Sequence, residues 1–167
     1  MPATDTFYCI SVSYKKADAA LRGRFSLTSK AIPFLLEDAK NKGISSLVLS
    51  STCNRTELYA QAPNHQMLVE LLCQQSEGTL KDFEKAGNAY EGADAISHLF
   101  RVGTGLESQI LGDFEIISQL KKSFKISKKV DLLSPYMERM FNAVLNASKR
   151  IKTCLLYTSD AADDIPG

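Results

Sequence analysis

Two short apolar runs, Leu47-Val48-Leu49 and Leu58-Tyr59-Ala60, flank the polar stretch Ser50-Ser51-Thr52-Cys53-Asn54-Arg55-Thr56-Glu57, and this spacing constrains the fold more than any other feature of the chain. Each run is long enough for a strand and too short for a helix, so two strands, over 46–51 and 57–61, are predicted to meet at a tight connection. Cys53 then sits on a rigid rim. An unperturbed thiol, with a pKa near ~8.5, is only slightly ionised at neutral pH, yet its thiolate is a strong nucleophile. A guanidinium such as that of Arg55 favours the thiolate. It is equally suited to holding a substrate carboxylate in a bidentate fork. These two roles compete for one side chain. A lone cysteine is often just a buried apolar residue, but Thr52, Asn54, Arg55 and Glu57 make an expensive setting for an inert buried thiol.

The rest of the chain completes an alternating order. Residues 7–13 alternate as a strand does. In 29–42, Ile32, Leu35, Leu36 and Ala39 recur at helical spacing before Gly43, with Pro33 tolerable only in the first turn. Met67, Leu68, Leu71 and Leu72 indicate a second helix and 88–91 a last short strand. The order βαββαβ is the split pattern of ferredoxin-like folds, so an α+β class is expected. From Ala93 the strand signals stop. Ile96, Leu99 and Phe100 open a helical region interrupted by Gly103 and Gly105. Ile116, Ile117, Leu120 and Phe124 then mark an apolar helix face, with Lys121, Lys122, Lys125, Lys128 and Lys129 largely on its other side. Ser134-Pro135 opens a further helix, in which Met137, Phe141, Val144, Ser148 and Ile151 form a seam suited to packing.

Other features exclude function classes. The 167 residues, 44% of them hydrophobic, can bury the core of one or two small domains, which is short for a catalytic domain plus a dinucleotide domain. Twenty basic against nineteen acidic residues leave a net charge of +1, so any nucleic-acid contact must come from a local patch. Cys9, Cys53, Cys73 and Cys154 form no C-x-x-C pair, and two histidines give no zinc spacing, so no metal is expected. Gly103-Thr104-Gly105 lacks the third glycine and the preceding strand of a dinucleotide loop. No signal peptide or membrane-spanning run is evident, and reduced thiols in the cytoplasm are expected.

The segment Thr52-Cys53-Asn54-Arg55-Thr56-Glu57 resembles the active-site signature of the glutamyl-tRNA reductase family. A second block, residues 98–112, His98-Leu99-Phe100-Arg101-Val102-Gly103-Thr104-Gly105-Leu106-Glu107-Ser108-Gln109-Ile110-Leu111-Gly112, is similar to that family's second signature, and residues 13–25 resemble the loop after its first strand. The likeness runs from about Phe7 to Thr153. It implies a ferredoxin-like catalytic head over 1–92 and a helical part over 93–153 that completes the glutamate site and begins a long connecting helix. It also implies NADPH-binding and dimerisation domains that lie outside this chain. Cys53 is implied as the nucleophile that takes glutamate from glutamyl-tRNA as a thioester, which NADPH then reduces to glutamate-1-semialdehyde for tetrapyrrole synthesis. Thr52, Asn54, Arg55, Ser108 and Gln119 match substrate positions, with Arg55 on the substrate carboxylate. Arg55→Lys is accordingly expected to weaken substrate use much more than folding. Asp113, Phe114 and Glu115 stand where the usual pattern has glutamate, proline and glutamine; Asp113 keeps a carboxylate for the substrate ammonium, and Glu115 exchanges an amide for a charge. His98 matches a histidine important to activity, yet its apolar helical setting equally suits a packed structural residue. The resemblance further implies a homodimer when full length and the pathway's aminomutase as a partner. Residues 154–167 depart from the family, read as translated cloning material, and are set apart from the fold.

Overall fold

The computed structural model describes residues 5–109 and 115–163, with side chains as far as 154. Four strands, β1 (Thr6–Ser13), β2 (Ser46–Ser51), β3 (Arg55–Ala62) and β4 (Gly87–Glu91), form one antiparallel sheet in the order β2-β3-β1-β4. That is the ferredoxin-like order expected from the βαββαβ pattern. The helices α1 (Ala19–Phe25), α2 (Ala31–Asn41), α3 (His65–Gln75) and α4 (Leu80–Ala86) belong to this part, and α5 (Ala93–Gly103), α6 (Glu115–Lys129) and α7 (Pro135–Asp163) follow it.

Helices α1 and α4 were not anticipated. Each has only seven residues, too few for a clear periodic stripe, and each is started by a local cap. Asp18 accepts the Leu21 amide at 2.8 Å, and Thr79 and Asp82 exchange bonds in a reciprocal capping box. Pro33 does fall in the first turn of α2, and Pro135 opens α7 behind Ser134, whose hydroxyl accepts the Met137 amide.

Both faces of the sheet are covered, which the period of two makes possible. On one side Tyr8, Ile10 and Val12 meet Leu47, Leu49, Leu58 and Ala60, and α2 and α3 close over them with Leu35, Leu36, Leu68, Leu71 and Leu72. On the other, Phe7, Cys9, Val48 and Tyr59 pack against Leu99 of α5, Leu120 and Phe124 of α6, and Met137, Phe141 and Val144 of α7. The α7 seam is therefore buried within this chain as far as Ser148, while Ile151 is exposed. The outer edge of β2 is covered too: the Leu47 amide donates to the Leu132 carbonyl, and the Ser127 hydroxyl to the Leu47 carbonyl.

Helices α5 and α7 approach closely at Gly103, where an added Cβ would lie 2.3 Å from Cγ1 of Val144. Valine has little rotamer freedom to yield. Gly103→Ala is expected to destabilise the chain by about 1–3 kcal/mol, the usual range for overpacking, and pairing it with Val144→Ala should restore part of the loss in urea unfolding.

Candidate active site

The β2–β3 connection is a three-residue turn, Thr52-Cys53-Asn54, fastened on several sides. The Thr52 amide donates to the Arg55 carbonyl at 2.8 Å, and the Thr52 hydroxyl accepts the amides of Asn54 and Arg55. The Tyr14 amide donates to the Asn54 carbonyl, and Nε of Arg22 to the Cys53 carbonyl at 3.2 Å. Cys53 itself is exposed on this rigid turn. Cys9 differs in kind: burial first, then the Glu57 charge, pushes its thiol well above the ordinary value, against the pull of Arg55. It stays protonated and inert.

A cavity of about 310 Å³ opens beside the turn, lined by Thr52, Cys53, Asn54 and Arg55 together with Ser108, Glu115 and Gln119. The fold thus brings most of the sequence-derived set around one space. Asp113 and Phe114 lie outside the described residues. Tyr14, Ser51, Gln109 and Ile116 also line the cavity and were not anticipated. Of these, Tyr14 lies in the stretch resembling the family's first loop, Ser51 in the polar run before Cys53 and Gln109 in the second signature block, so only Ile116, on the apolar face of its helix, carried no signal for the site.

His98 is not on that wall. Its Nε2 lies 2.5 Å from Oε2 of Glu57, and its ring stacks on Tyr90 at 4.2 Å. Glu57 is fully buried, accepts the Tyr59 hydroxyl on Oε1 at 2.5 Å, and faces Nη1 of Arg55 at 3.5 Å. Burial alone would raise the Glu57 carboxyl, but the hydrogen bond and charge of His98, then Arg55 and Tyr59, outweigh it and hold the group at about 2. Glu57 is an ionised hub that sequence reasoning missed. The signal available was Arg55, Glu57 and Tyr59 at alternate positions of one strand, hence on one face.

Arg55 is 4% exposed and divides its donors. Besides Nη1 to Glu57, its Nη2 donates to the Glu107 carbonyl, and the guanidinium lies over the Tyr14 ring, 5.8 Å from its centre. The Tyr14 hydroxyl donates to that same carbonyl at 3.0 Å, while the Glu107 carboxylate pairs with Lys15 and Arg101. Arg55 and Tyr14 therefore pin the turn that carries Ser108 to the end of the sheet. Arg55→Lys would also leave Glu57 and the Glu107 carbonyl short of donors, so a cost to folding is expected beside the larger effect on substrate use.

Sγ of Cys9, a Glu57 oxygen and a His98 ring nitrogen lie within 4.8 Å of one another, a donor set that spacing along the chain did not reveal. Both Glu57 oxygens already accept protein hydrogen bonds, so the cluster works as a hydrogen-bonded hub. The Gly103-Thr104-Gly105 segment ends a helix instead of following a strand, and Gly103 is occupied by its contact with Val144. It does not fit a dinucleotide phosphate. Among the described residues no helix is long and apolar enough to cross a membrane.

A sheet in ferredoxin-like order, helices on both faces and an exposed cysteine on a pinned hairpin beside a buried arginine define an α+β thiol-bearing head. Residues 10–155 match the family model described as "Glutamyl-tRNAGlu reductase, N-terminal domain", and the chain belongs to that family. It is 55% identical over 153 residues to glutamyl-tRNA reductase of Flavobacterium psychrophilum, covering 92% of this chain and 37% of that protein. To the Christiangramia forsetii enzyme it is 56% identical over 146 residues, covering 87% and 35%. The solved glutamyl-tRNA reductase of Methanopyrus kandleri superposes with a TM-score of 0.73 at 25% identity, over 88% of this chain and 34% of that one. The chain spans about a third of the length of the relatives it matches.

Proposed function

We propose that this chain is the catalytic head of a glutamyl-tRNA reductase and that its own step is acyl transfer to Cys53. The observation that carries the reading is the single cavity shared by an exposed thiol, a buried guanidinium and the polar side chains of Asn54, Ser108 and Gln119. The Cys53 thiolate attacks the ester carbonyl that joins glutamate to tRNA. The C–S bond forms, the C–O bond breaks, and the tRNA leaves with a proton as an alcohol. Arg55 holds the side-chain carboxylate, already oriented by Glu57. Glutamine is rejected because its neutral amide leaves the guanidinium unpaired. Glu115 on the cavity wall faces the substrate ammonium. His98 acts through Glu57 as a positioning residue.

Residues 1–92 and 93–153 contribute jointly, since Cys53 and Arg55 come from the first and Ser108 and Gln119 from the second. In the whole enzyme NADPH, bound by parts outside this chain, would supply the hydride that gives glutamate-1-semialdehyde for tetrapyrrole synthesis. The same reading includes a cytoplasmic homodimer that passes the aldehyde to the pathway's aminomutase. By itself the chain is at most a glutamyl-tRNA esterase, because water is then the only acceptor for the thioester.

The test is direct. The chain is mixed with glutamyl-tRNA, quenched in acid and digested, and the peptide containing Cys53 is weighed by mass spectrometry. A glutamyl adduct on that peptide is expected, whereas an adduct on another residue, or none when a full-length reductase forms one in parallel, would defeat the reading.

A further inference from the structure

A cavity of about 310 Å³ has room for an amino acid but not for a tRNA, so the RNA must lie along the surface outside it. Helix α6 runs outward from the cavity wall. Its residues Glu115 and Gln119 line the cavity, and steps of three and four residues continue the same face through Lys122, Ile126 and Lys129. Lys122 and Lys129 are exposed, and Ile126, between them, is 44% exposed. Lys121 and Lys125 are exposed on the adjoining side.

The charge on this helix is one-sided. Five lysines stand against one acid, Glu115, in a chain whose total charge is only +1. Among the described residues, Lys128 alone of the five is in an ion pair, with Glu138 at 2.8 Å. The rise from Gln119 to Lys129 is about 15 Å, the length of roughly four stacked nucleotides.

Resting on the acyl-transfer reading, we propose that the α6 face of Lys122, Ile126 and Lys129, flanked by Lys121 and Lys125, carries the single-stranded 3′ end of the acyl-tRNA toward Cys53. The ammonium groups neutralise successive phosphates, and Ile126 offers an apolar contact to a ribose or base between them. The cavity recognises glutamate and the stripe recognises nucleic acid, so the two parts of the substrate are read by separate surfaces joined at Gln119.

The experiment uses this chain and a 5′-fluorescein-labelled acceptor-stem RNA with a free, unacylated 3′ tail, so that binding is read by anisotropy without any chemistry at Cys53. Wild-type binding should weaken linearly in log-log plots against salt. The double variant K122Q/K129Q should bind roughly tenfold more weakly at low salt, with the slope reduced by about 1.4, as two single-strand phosphate contacts require. K122R/K129R should restore affinity and slope. An unchanged slope in the glutamine variant would overturn the proposal. Equal binding of polyglutamate, with the same loss in that variant, would assign the stripe to an acidic protein partner and overturn it as well.

Failure of the two readings is distinguishable. RNA binding that depends on Lys122 and Lys129, without any Cys53 adduct, would retain the stripe and remove acyl transfer. Adduct formation from glutamyl-tRNA at the same rate in wild type and K122Q/K129Q would retain acyl transfer and remove the stripe.

Discussion

Cys53→Ser is expected to fold like the parent chain and to lose acyl transfer from glutamyl-tRNA by at least about a thousandfold, the scale seen when a covalent nucleophile is removed. The two halves of this result come from different observations. Cys53 is exposed and its side chain supports no core packing, so the change should shift stability by no more than about 0.5 kcal/mol. The hairpin is held through the Thr52 hydroxyl and the Cys53 carbonyl, neither of which the substitution touches. A serine hydroxyl at the same place is a far weaker nucleophile near neutral pH, and the described cavity lining places no histidine beside it to act as a base. Denaturant curves and the rate of adduct formation measure the two halves separately. If Cys53→Ser kept the acyl-transfer rate, a different group would be the nucleophile; buried, protonated Cys9 is the poorest substitute, since its thiol cannot reach the cavity surface. Retained RNA binding in the variant, together with lost transfer, separates a catalytic head from a module that only binds.

How much of this was legible depends on distance along the chain. The strands over 46–51 and around Leu58 announced themselves through adjacent residues, and the hairpin of Thr52 to Arg55 is a contiguous motif that survives intact as the cavity rim. The βαββαβ order led to the sheet order because few topologies join four antiparallel strands with two such crossovers. Helices α1 and α4 were missed because their signals are caps, not stripes, and a cap involves only one or two side chains. Ser108 and Gln119 could be placed only through family resemblance, since each is more than fifty residues from Cys53 and no local pattern links them to it. The Glu57 hub was hidden for the same reason: His98 is 41 positions away, and only the fold of α5 across the β1–β4 side of the sheet brings its ring to the carboxylate. Its helical position between apolar neighbours suggested either packing or chemistry. The geometry combines them, as a packed ring whose nitrogen serves a buried charge.

That hub makes Glu57→Gln the substitution with the largest expected cost to the fold. The carboxylate is 0% exposed and satisfies three donors, the Tyr59 hydroxyl, the His98 ring and the Arg55 guanidinium. An amide keeps the shape but removes the charge and turns one acceptor into a donor facing other donors, while Arg55, itself 4% exposed, is left as a buried cation without its partner. Breaking a buried pair from one side costs about 3–5 kcal/mol. The pH dependence identifies the cause. The folded Glu57 carboxyl sits at about 2, below its ordinary value of 4.5, so its ionised form stabilises the fold. This stabilisation is fully present above the ordinary carboxylate range and disappears as the pH falls through about 4.5 toward 2. The depression corresponds to roughly 3 kcal/mol. Urea unfolding of the wild type between pH 6 and 2.5 should show that loss, and Glu57→Gln should show a flatter profile starting from a lower plateau. A parallel pair of profiles would mean that other carboxylates, such as Glu107 with its Lys15 and Arg101 partners, dominate acid unfolding. Function should follow the same dependence: with Arg55 unanchored, the variant should lose preference for glutamyl-tRNA over glutaminyl-tRNA before it loses the Cys53 nucleophile, which alkylation by iodoacetamide at an unchanged rate would verify.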